Sequence, residues 1–311
     1  MKCLTDHISA FLTAQGFSCT QLMRHGCEVI SVTGPHLGRN KIILPLEVSA
    51  DSLESAMNES AYIYESIRLS TSYDGEYPLI ITEDRWHTQR ELMKARLLAH
   101  LEVFSPIYAR NCEVRRIDKA VAREFLEKNH SYGYAACRYC YGLFFKRHTG
   151  HIASAVILDD DTTSEKCTPG TLMAVATFSN ARKWSKGYRI IRSYEWTRYA
   201  SLPNVRLSGG MGRLLKAFIK EVQPDDVMSY ADLEWSEGNV YKQLGFRFEG
   251  CKDPVMFHIT EDWQRQAIKR GAASDIIASE ANHVIASETW QSRYFQNFGS
   301  NKYRLKLTDY E

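Results

Sequence analysis

No run of about 18 apolar residues occurs in the 311-residue chain, so the sequence offers no helix able to cross a membrane. The first residues, Met-Lys-Cys-Leu-Thr-Asp-His, lack the apolar stretch of a secretory leader, and a cytoplasmic protein is expected. Internal repeats and low-complexity segments are missing too, which argues against a repeat architecture. The eight cysteines are scattered and do not outline a disulfide framework, in keeping with a reduced compartment. One pair, Cys137-Arg-Tyr-Cys140, lies near His130 and His148 with half the spacing of a zinc site. The second pair such a site needs is absent, so two ordinary cysteines at a strand edge are expected and no metal is assigned.

What the chain does have is apolar content and a local excess of charge. With 44% hydrophobic residues it can bury a substantial core, and its length suggests two domains. A net charge of +2 is uninformative, but residues 178–220 hold ten basic side chains against Glu195 alone. Arg182, Lys183, Lys186, Arg189, Arg192 and Arg198 alternate there with Trp184, Tyr188, Tyr194, Trp196 and Tyr199. Cations among aromatics suit contact with a polyanion and stacking on bases, which makes DNA a candidate partner. A solvated face, or a site for the phosphates of a smaller ligand, is the other reading of the same residues.

Along the chain, residues 1–104 are expected to form a small α/β module. Asp6–Gln15 has helical character ended by Gly16, Cys27–Val32 and Lys41–Leu46 alternate like strands, and Asp51–Ile67 spaces its apolar residues as a helix. A loop at 70–76 precedes a buried-strand candidate, Tyr77–Thr82, and a helical run follows to about Val103, before Pro106. A second domain is expected over 105–260, its first strand at Ile107–Val114, and a C-terminal extension over 261–311. That extension opens on a weak Ala- and Ser-rich helix pattern at 262–282.

Residues 205–246 carry the chemistry. Val205-Arg-Leu-Ser-Gly209-Gly210-Met211-Gly212 runs into Arg213-Leu-Leu-Lys-Ala-Phe-Ile-Lys-Glu-Val222, whose apolar residues recur at helical spacing. Glycines at a helix N-terminus let backbone N–H groups approach a diphosphate, and the helix dipole favours negative charge there. A short strand, Val227–Ala231, and then Asn239-Val-Tyr241-Lys-Gln-Leu-Gly245-Phe246 follow. This combination resembles the coenzyme A-binding core of the GNAT acyltransferase superfamily. The resemblance implies a pyrophosphate at Gly209, Gly210, Met211, Gly212 and Arg213, with Arg206 nearby, and Asn239 and Tyr241 beside the pantetheine arm and thioester. The family begins its loop with Gln or Arg; here Leu207 holds that place and Arg206 stands one residue early.

The resemblance extends to Thr82-Glu-Asp-Arg-Trp86, Tyr108–Cys112, Phe125–His130, Gly142-Leu-Phe144, Ser229-Tyr-Ala-Asp232 and Tyr294–Tyr303, and covers roughly 78–310. These look like parts of a phage and mobile-element family whose members often join an endonuclease-like unit to a GNAT-like domain. Ser-Tyr-Ala-Asp followed by Gly-x-x-Tyr is also similar to the Mom proteins of bacteriophages, which modify adenine in DNA against restriction. A nuclease would need clustered carboxylates to hold Mg²⁺. Glu47, Glu83 and Asp84 are available, but no carboxylate-x-Lys strand pattern accompanies them. A degenerate nuclease remnant or a DNA-docking module is therefore expected.

The expected fold is α+β: a mixed, mostly antiparallel GNAT-like sheet flanked by helices, preceded by the small α/β module. Expected catalytic residues are Tyr241 as proton donor to the leaving thiolate, Asp232 or Glu195 as proton acceptor, His130 to orient the acceptor, and Tyr230. A β-bulge, common in the family, is expected between Glu195 and Arg198, on the strand taken to enter the phosphate loop. Arg182, Lys183, Trp184, Lys186, Arg189 and Arg198 are the expected nucleic-acid surface. The leading functional expectation is a transferase that uses acetyl-CoA or another CoA thioester to modify a nucleobase amine. A non-catalytic or nuclease-derived DNA-binding protein, and an acetyltransferase acting on a small amine or protein, stand beside it.

Overall fold

The computed structural model describes residues 3–75, 77–146, 168–203, 205–268 and 292–310. Helix α1 (Leu4–Ala14) buries Leu4, Ile8 and Leu12 along one stripe, and Gly16, at φ 85°, turns the chain out of it. Strands β1 (Ser18–Arg24), β2 (Cys27–Thr33) and β3 (Lys41–Leu46) follow. Next is α2 (Leu53–Leu69), capped by Ser52, whose hydroxyl accepts the Ser55 N–H at 3.2 Å. A π-helical turn at Ser70–Asp74 prolongs α2 where the composition suggests a loop. Then come β4 (Leu79–Thr82), α3 (Glu83–Thr88) and α4 (Arg90–His100). The four strands pair in the order β1-β2-β3-β4, with β3 and β4 parallel. Strand β1 has no fully buried residue, so no apolar alternation marks it in the sequence.

The strand expected at 107–114 is two strands. Strands β5 (Ser105–Tyr108) and β6 (Cys112–Arg116) are separated by a tight turn at Ala109–Asn111 and pair with different neighbours. The chain continues through α5 (Lys119–Asn129), β7 (Tyr139–Phe145), β8 (Leu172–Phe178), β9 (Arg182–Lys186), β10 (Arg189–Ser201) and β11 (Val205–Ser208). Helix α6 (Gly210–Val222), β12 (Asp226–Asp232), α7 (Asn239–Gln243) and β13 (Arg247–Lys252) complete the glycine-loop region and its flank. Strands β14 (Met256–Ile259), β15 (Arg265–Ala267), β16 (Arg293–Gln296) and β17 (Ser300–Lys306) come last. The helix expected from 262 is not one at its start, because Arg265–Ala267 pairs with β14 as a strand; residues 269–282 lie outside the described residues.

The chain forms two compact units. The first gathers 1–93 with 231–238 and 250–301; the second gathers 94–230 with 239–249 and 302–311. A division read in chain order, at 104 and 260, cannot express this interleaving. In the first unit, Val29, Ile42, Leu44, Ile67 and Ile80 pack with Leu233 and Phe298 from distant sequence. A second core of that unit is ionic. Arg265 makes a two-pronged pair with Asp84 (2.5 and 3.1 Å), bonds Glu234 at 2.8 Å and donates to Thr82 at 3.0 Å. Arg85 adds a bond to Glu234 at 3.2 Å. Asp84, available as a nuclease carboxylate but without the accompanying strand pattern, is held by Arg265, and the Glu83 carboxylate accepts the Val48 N–H at 3.0 Å.

The second unit is α+β, as expected. Its sheet runs β13-β17-β12-β10-β8-β7-β6, with β9 also on β10. The β6-β7, β7-β8, β8-β10 and β9-β10 pairs are antiparallel and the β10-β12 pair is parallel. Helix α5 packs Ala122, Phe125 and Leu126 against Cys140, Val175 and Ala200. Strand alternation sends Tyr139 and Tyr141 to the opposite face, where they meet Phe218 of α6 edge-on while Phe178 stacks on it at 3.9 Å. Among the described residues no helix is long and apolar enough to cross a membrane.

Candidate functional site

Three local features of the second unit make up the candidate site. The first is where their pairing stops. They pair in parallel over only Ser193–Glu195 with Asp226–Met228. Beyond Glu195, the register of β10 against β8 slips between Trp196 and Arg198 with Thr197 as the extra residue, the expected bulge. Thr197 is held by its hydroxyl, 2.8 Å from that of Thr177 and 3.0 Å from the Thr177 carbonyl.

The second feature is a proton chain where the ladder ends. The buried Ser229 hydroxyl donates to the Trp196 carbonyl at 3.0 Å and lies 2.9 Å from the Tyr241 hydroxyl. Because the serine proton points at Trp196, the phenol is the donor in the second bond. Tyr303 stacks against the Tyr241 ring at 5.4 Å, and Trp196 and Phe246 meet it edge-on. Burial, the largest cause, pushes the phenol above its ordinary pKa of 10. Tyr241 therefore carries its proton through the neutral range. Its hydroxyl also reaches the Tyr230 carbonyl at 3.5 Å.

The third feature is the glycine loop. It is entered from β11, not from the strand bearing Glu195; β11 pairs with β5 in parallel, and Pro203 separates it from β10. Gly209 takes φ 79°, a left-handed conformation that favours glycine, and the first helical bond runs from Arg213 N–H to its carbonyl. The N–H groups of Gly210, Met211 and Gly212 precede that bond and have no helical acceptor. Arg213 donates to the Ala109 carbonyl at 2.9 Å, joining the loop to the β5–β6 turn, and Arg206 lies over the Phe104 ring at 5.1 Å. A side chain at Gly210 would run into Leu207 (2.8 Å) and the Tyr199 hydroxyl (3.1 Å), so that glycine is required by packing as well. Gly209 is exposed at the head of the helix, and its glycine turn, the N–H groups and the parted strands could accommodate a diphosphate joined to an extended thioester arm.

Other expected residues fall at different distances from this core. Glu195 sits at the last paired position, its N–H bonded to the Ser179 hydroxyl at 2.9 Å. His130 ends α5; its Nδ1 accepts the Tyr132 N–H at 3.1 Å, which leaves Nε2 as the protonated nitrogen of the neutral ring. Arg198 ties this turn to β10, donating to the Gly133 carbonyl at 3.1 Å and to that of Thr197 at 2.8 Å. Burial lowers the Arg198 pKa, while Glu195 favours its charge. Arg198 is thus partly buried and braces this turn against β10. Asn239 is exposed and pairs with Lys242 at 3.3 Å. Asp232 belongs to the first unit, where its carboxylate accepts the Glu234 N–H at 2.9 Å and caps the following turn.

Strands β9 and β10 form a hairpin at the start of the basic segment. Arg189 bonds the Asp309 carbonyl at 2.7 Å and Asp225 at 3.4 Å, and Arg192 also pairs with Asp225. Trp184 packs edge-on against Tyr310 at 5.5 Å. Arg182, Lys183 and Lys186 are exposed. Cys137 and Cys140 are buried in the α5 core with sulfurs 3.3 Å apart, and His148 lies outside the described residues. Ser229 is the member of the site that residue-type reasoning gave no role; only its place opposite the bulge distinguishes it from any inward serine.

No protein-family model and no curated protein matches the chain. Among solved structures, the chain is similar to NAA60 of Arabidopsis thaliana in complex with acetyl-CoA, at 10% identity and a TM-score of 0.34 over 63% of this chain and 99% of that one. It is similar to the NatC complex bound to Gag peptide and CoA, at 11% identity and 0.33 over 64% and 99%. A histone acetyltransferase HPA2-related acetyltransferase of Corynebacterium glutamicum gives 11% and 0.32 over 64% and 98%.

Proposed function

We propose that the chain is a GNAT-type transferase that takes an acyl group from acetyl-CoA or another CoA thioester and delivers it to an exocyclic amine of a DNA base, in the manner of the Mom-like proteins it resembles. The observation that carries this reading is the ending of the β10–β12 ladder at a bulge, with a partly buried, protonated tyrosine beside it and a glycine-opened helix in the same unit. The helix N–H groups and Arg213 hold the diphosphate, and the thioester supplies an activated acyl group. Attack by the amine nitrogen forms the C–N bond and breaks C–S. Tyr241 gives the departing sulfur its proton, and Ser229 keeps the phenol oriented. Glu195, directly or through water, accepts the proton that the amine loses. A base amine is a weak nucleophile because its lone pair is delocalised, so positioning by His130 and Tyr230 matters more than for an aliphatic amine. The base must also leave the helical stack to be reached. Mass spectrometry of nucleosides from DNA of cells expressing the protein tests the acceptor: an acylated or otherwise enlarged base is expected. Unmodified nucleosides, with turnover of acetyl-CoA on small amines or peptides, would assign the acceptor to those classes instead.

A further inference from the structure

Strands β9 and β10 pair as a two-stranded ribbon whose turn is Gly187-Tyr188. Its register sets Lys186 opposite Arg189 and Lys183 opposite Arg192. Like charges directly across an antiparallel pair are destabilising. The arginine of each pair has an internal partner: Arg189 has Asp225 and the Asp309 carbonyl, and Arg192 has Asp225. On β9, none of Arg182, Lys183 and Lys186 pairs with a carboxylate among the described residues. By strand alternation, Arg182 and Lys186 project from one face of the ribbon and Lys183 from the other. At the tip, Tyr188 is fully exposed and Ile190 is 63% exposed, whereas Trp184 is packed on Tyr310 at the root.

We infer that this ribbon enters a groove of duplex DNA, with Tyr188, and not Trp184, as the aromatic that stacks on a base at its tip. The inference rests on the DNA-acceptor reading above and extends it to a specific element. A two-stranded ribbon is narrow enough for the major groove. Cations on both faces suit a cleft with phosphates along both walls, while a flat anionic membrane would meet one face only. A fully exposed tyrosine at the turn provides a ring that can stack on an opened base step, and stacking tolerates any base.

The test uses the full-length protein and a short duplex containing 2-aminopurine, whose fluorescence rises when it is unstacked. The wild type should bind with a negative salt slope and raise that fluorescence. Tyr188→Ala should keep the slope, lose the rise and bind about tenfold more weakly, because only stacking is removed; Tyr188→Phe should restore both. The Lys183→Ala/Lys186→Ala double variant should flatten the slope by about two, roughly one unit for each phosphate no longer neutralised. If Tyr188→Ala matches the wild type while DNA is bound and modified, the ribbon inference falls and the acceptor reading stands. If the intact protein binds no duplex, both fall. Insertion of Tyr188 into anionic phospholipid vesicles in place of DNA would overturn the inference in favour of a membrane surface.

Discussion

In the proposed reaction, Tyr241 is the residue on which the proton transfer turns. Its phenol pKa is raised by burial, so the proton is present at every pH below the ordinary value of 10. A falling rate limb below pH 10 is therefore not expected from this group. Tyr241→Phe keeps the ring among Trp196, Phe246 and Tyr303 and removes the proton. Turnover should fall about a hundredfold or more, the range for a lost general acid, with acetyl-CoA affinity unchanged; steady-state kinetics and calorimetry on the same variant check this. An unchanged kcat would reduce Tyr241 to a packing residue. Tyr241 stands out in the sequence because Asn-x-Tyr-x-x-x-Gly-Phe is a dense pattern. Ser229 does not, since a serine on an alternating strand looks the same whether it bonds a catalytic phenol or a neighbouring backbone. The difference between Trp184 and Tyr188 is hidden for a related reason: four residues apart on one ribbon, the first packs on Tyr310, more than a hundred residues later, and the second is exposed.

At the scale of elements, helix α6 and the strands around it follow from patterns that are local. The glycine loop, the apolar spacing to Val222 and the bulge between Glu195 and Arg198 all lie where the sequence indicates. Elements defined by distant partners escape such a reading. The strand at 107–114 is broken because β5 pairs with β11, a hundred residues away, and no local signal records that pairing. Strand β1, with no buried face, gives no alternation to read. The loop geometry yields a stability prediction. Gly209→Ala places a side chain at φ 79°, which costs about 1–2 kcal/mol for an L-residue in that region. Urea unfolding should show that loss, and an unchanged midpoint would mean the loop relaxes out of the left-handed conformation. Gly210→Val would act mainly by overpacking Leu207 and Tyr199, so it is a poor probe of ligand binding.

At the scale of the whole molecule, the interleaving of the two units is the least legible feature. It depends on where residues 231–238 and 250–301 pack, and no composition shift marks those ends. The first unit is held partly by the Asp84, Arg85, Glu234 and Arg265 network, drawn from three stretches of chain. Asp84 and Glu234 are 1% and 2% exposed, so Arg265→Ala leaves two carboxylates buried without their shared cation. Breaking such a network should cost about 3–5 kcal/mol, read as a lower thermal or urea midpoint; a loss under about 1 kcal/mol would place the network in the surface class. The central claim, a CoA thioester on the α6 N-terminus, is tested most directly by titrating acetyl-CoA into the intact protein and its Met211→Glu variant by calorimetry. Met211 is half-buried in the first turn, where a carboxylate favours the helix but repels a diphosphate. Saturable binding by the wild type is expected, at least tenfold weaker in the variant at an unchanged melting temperature. No heat with the wild type, or equal affinity in the two proteins, would contradict the claim.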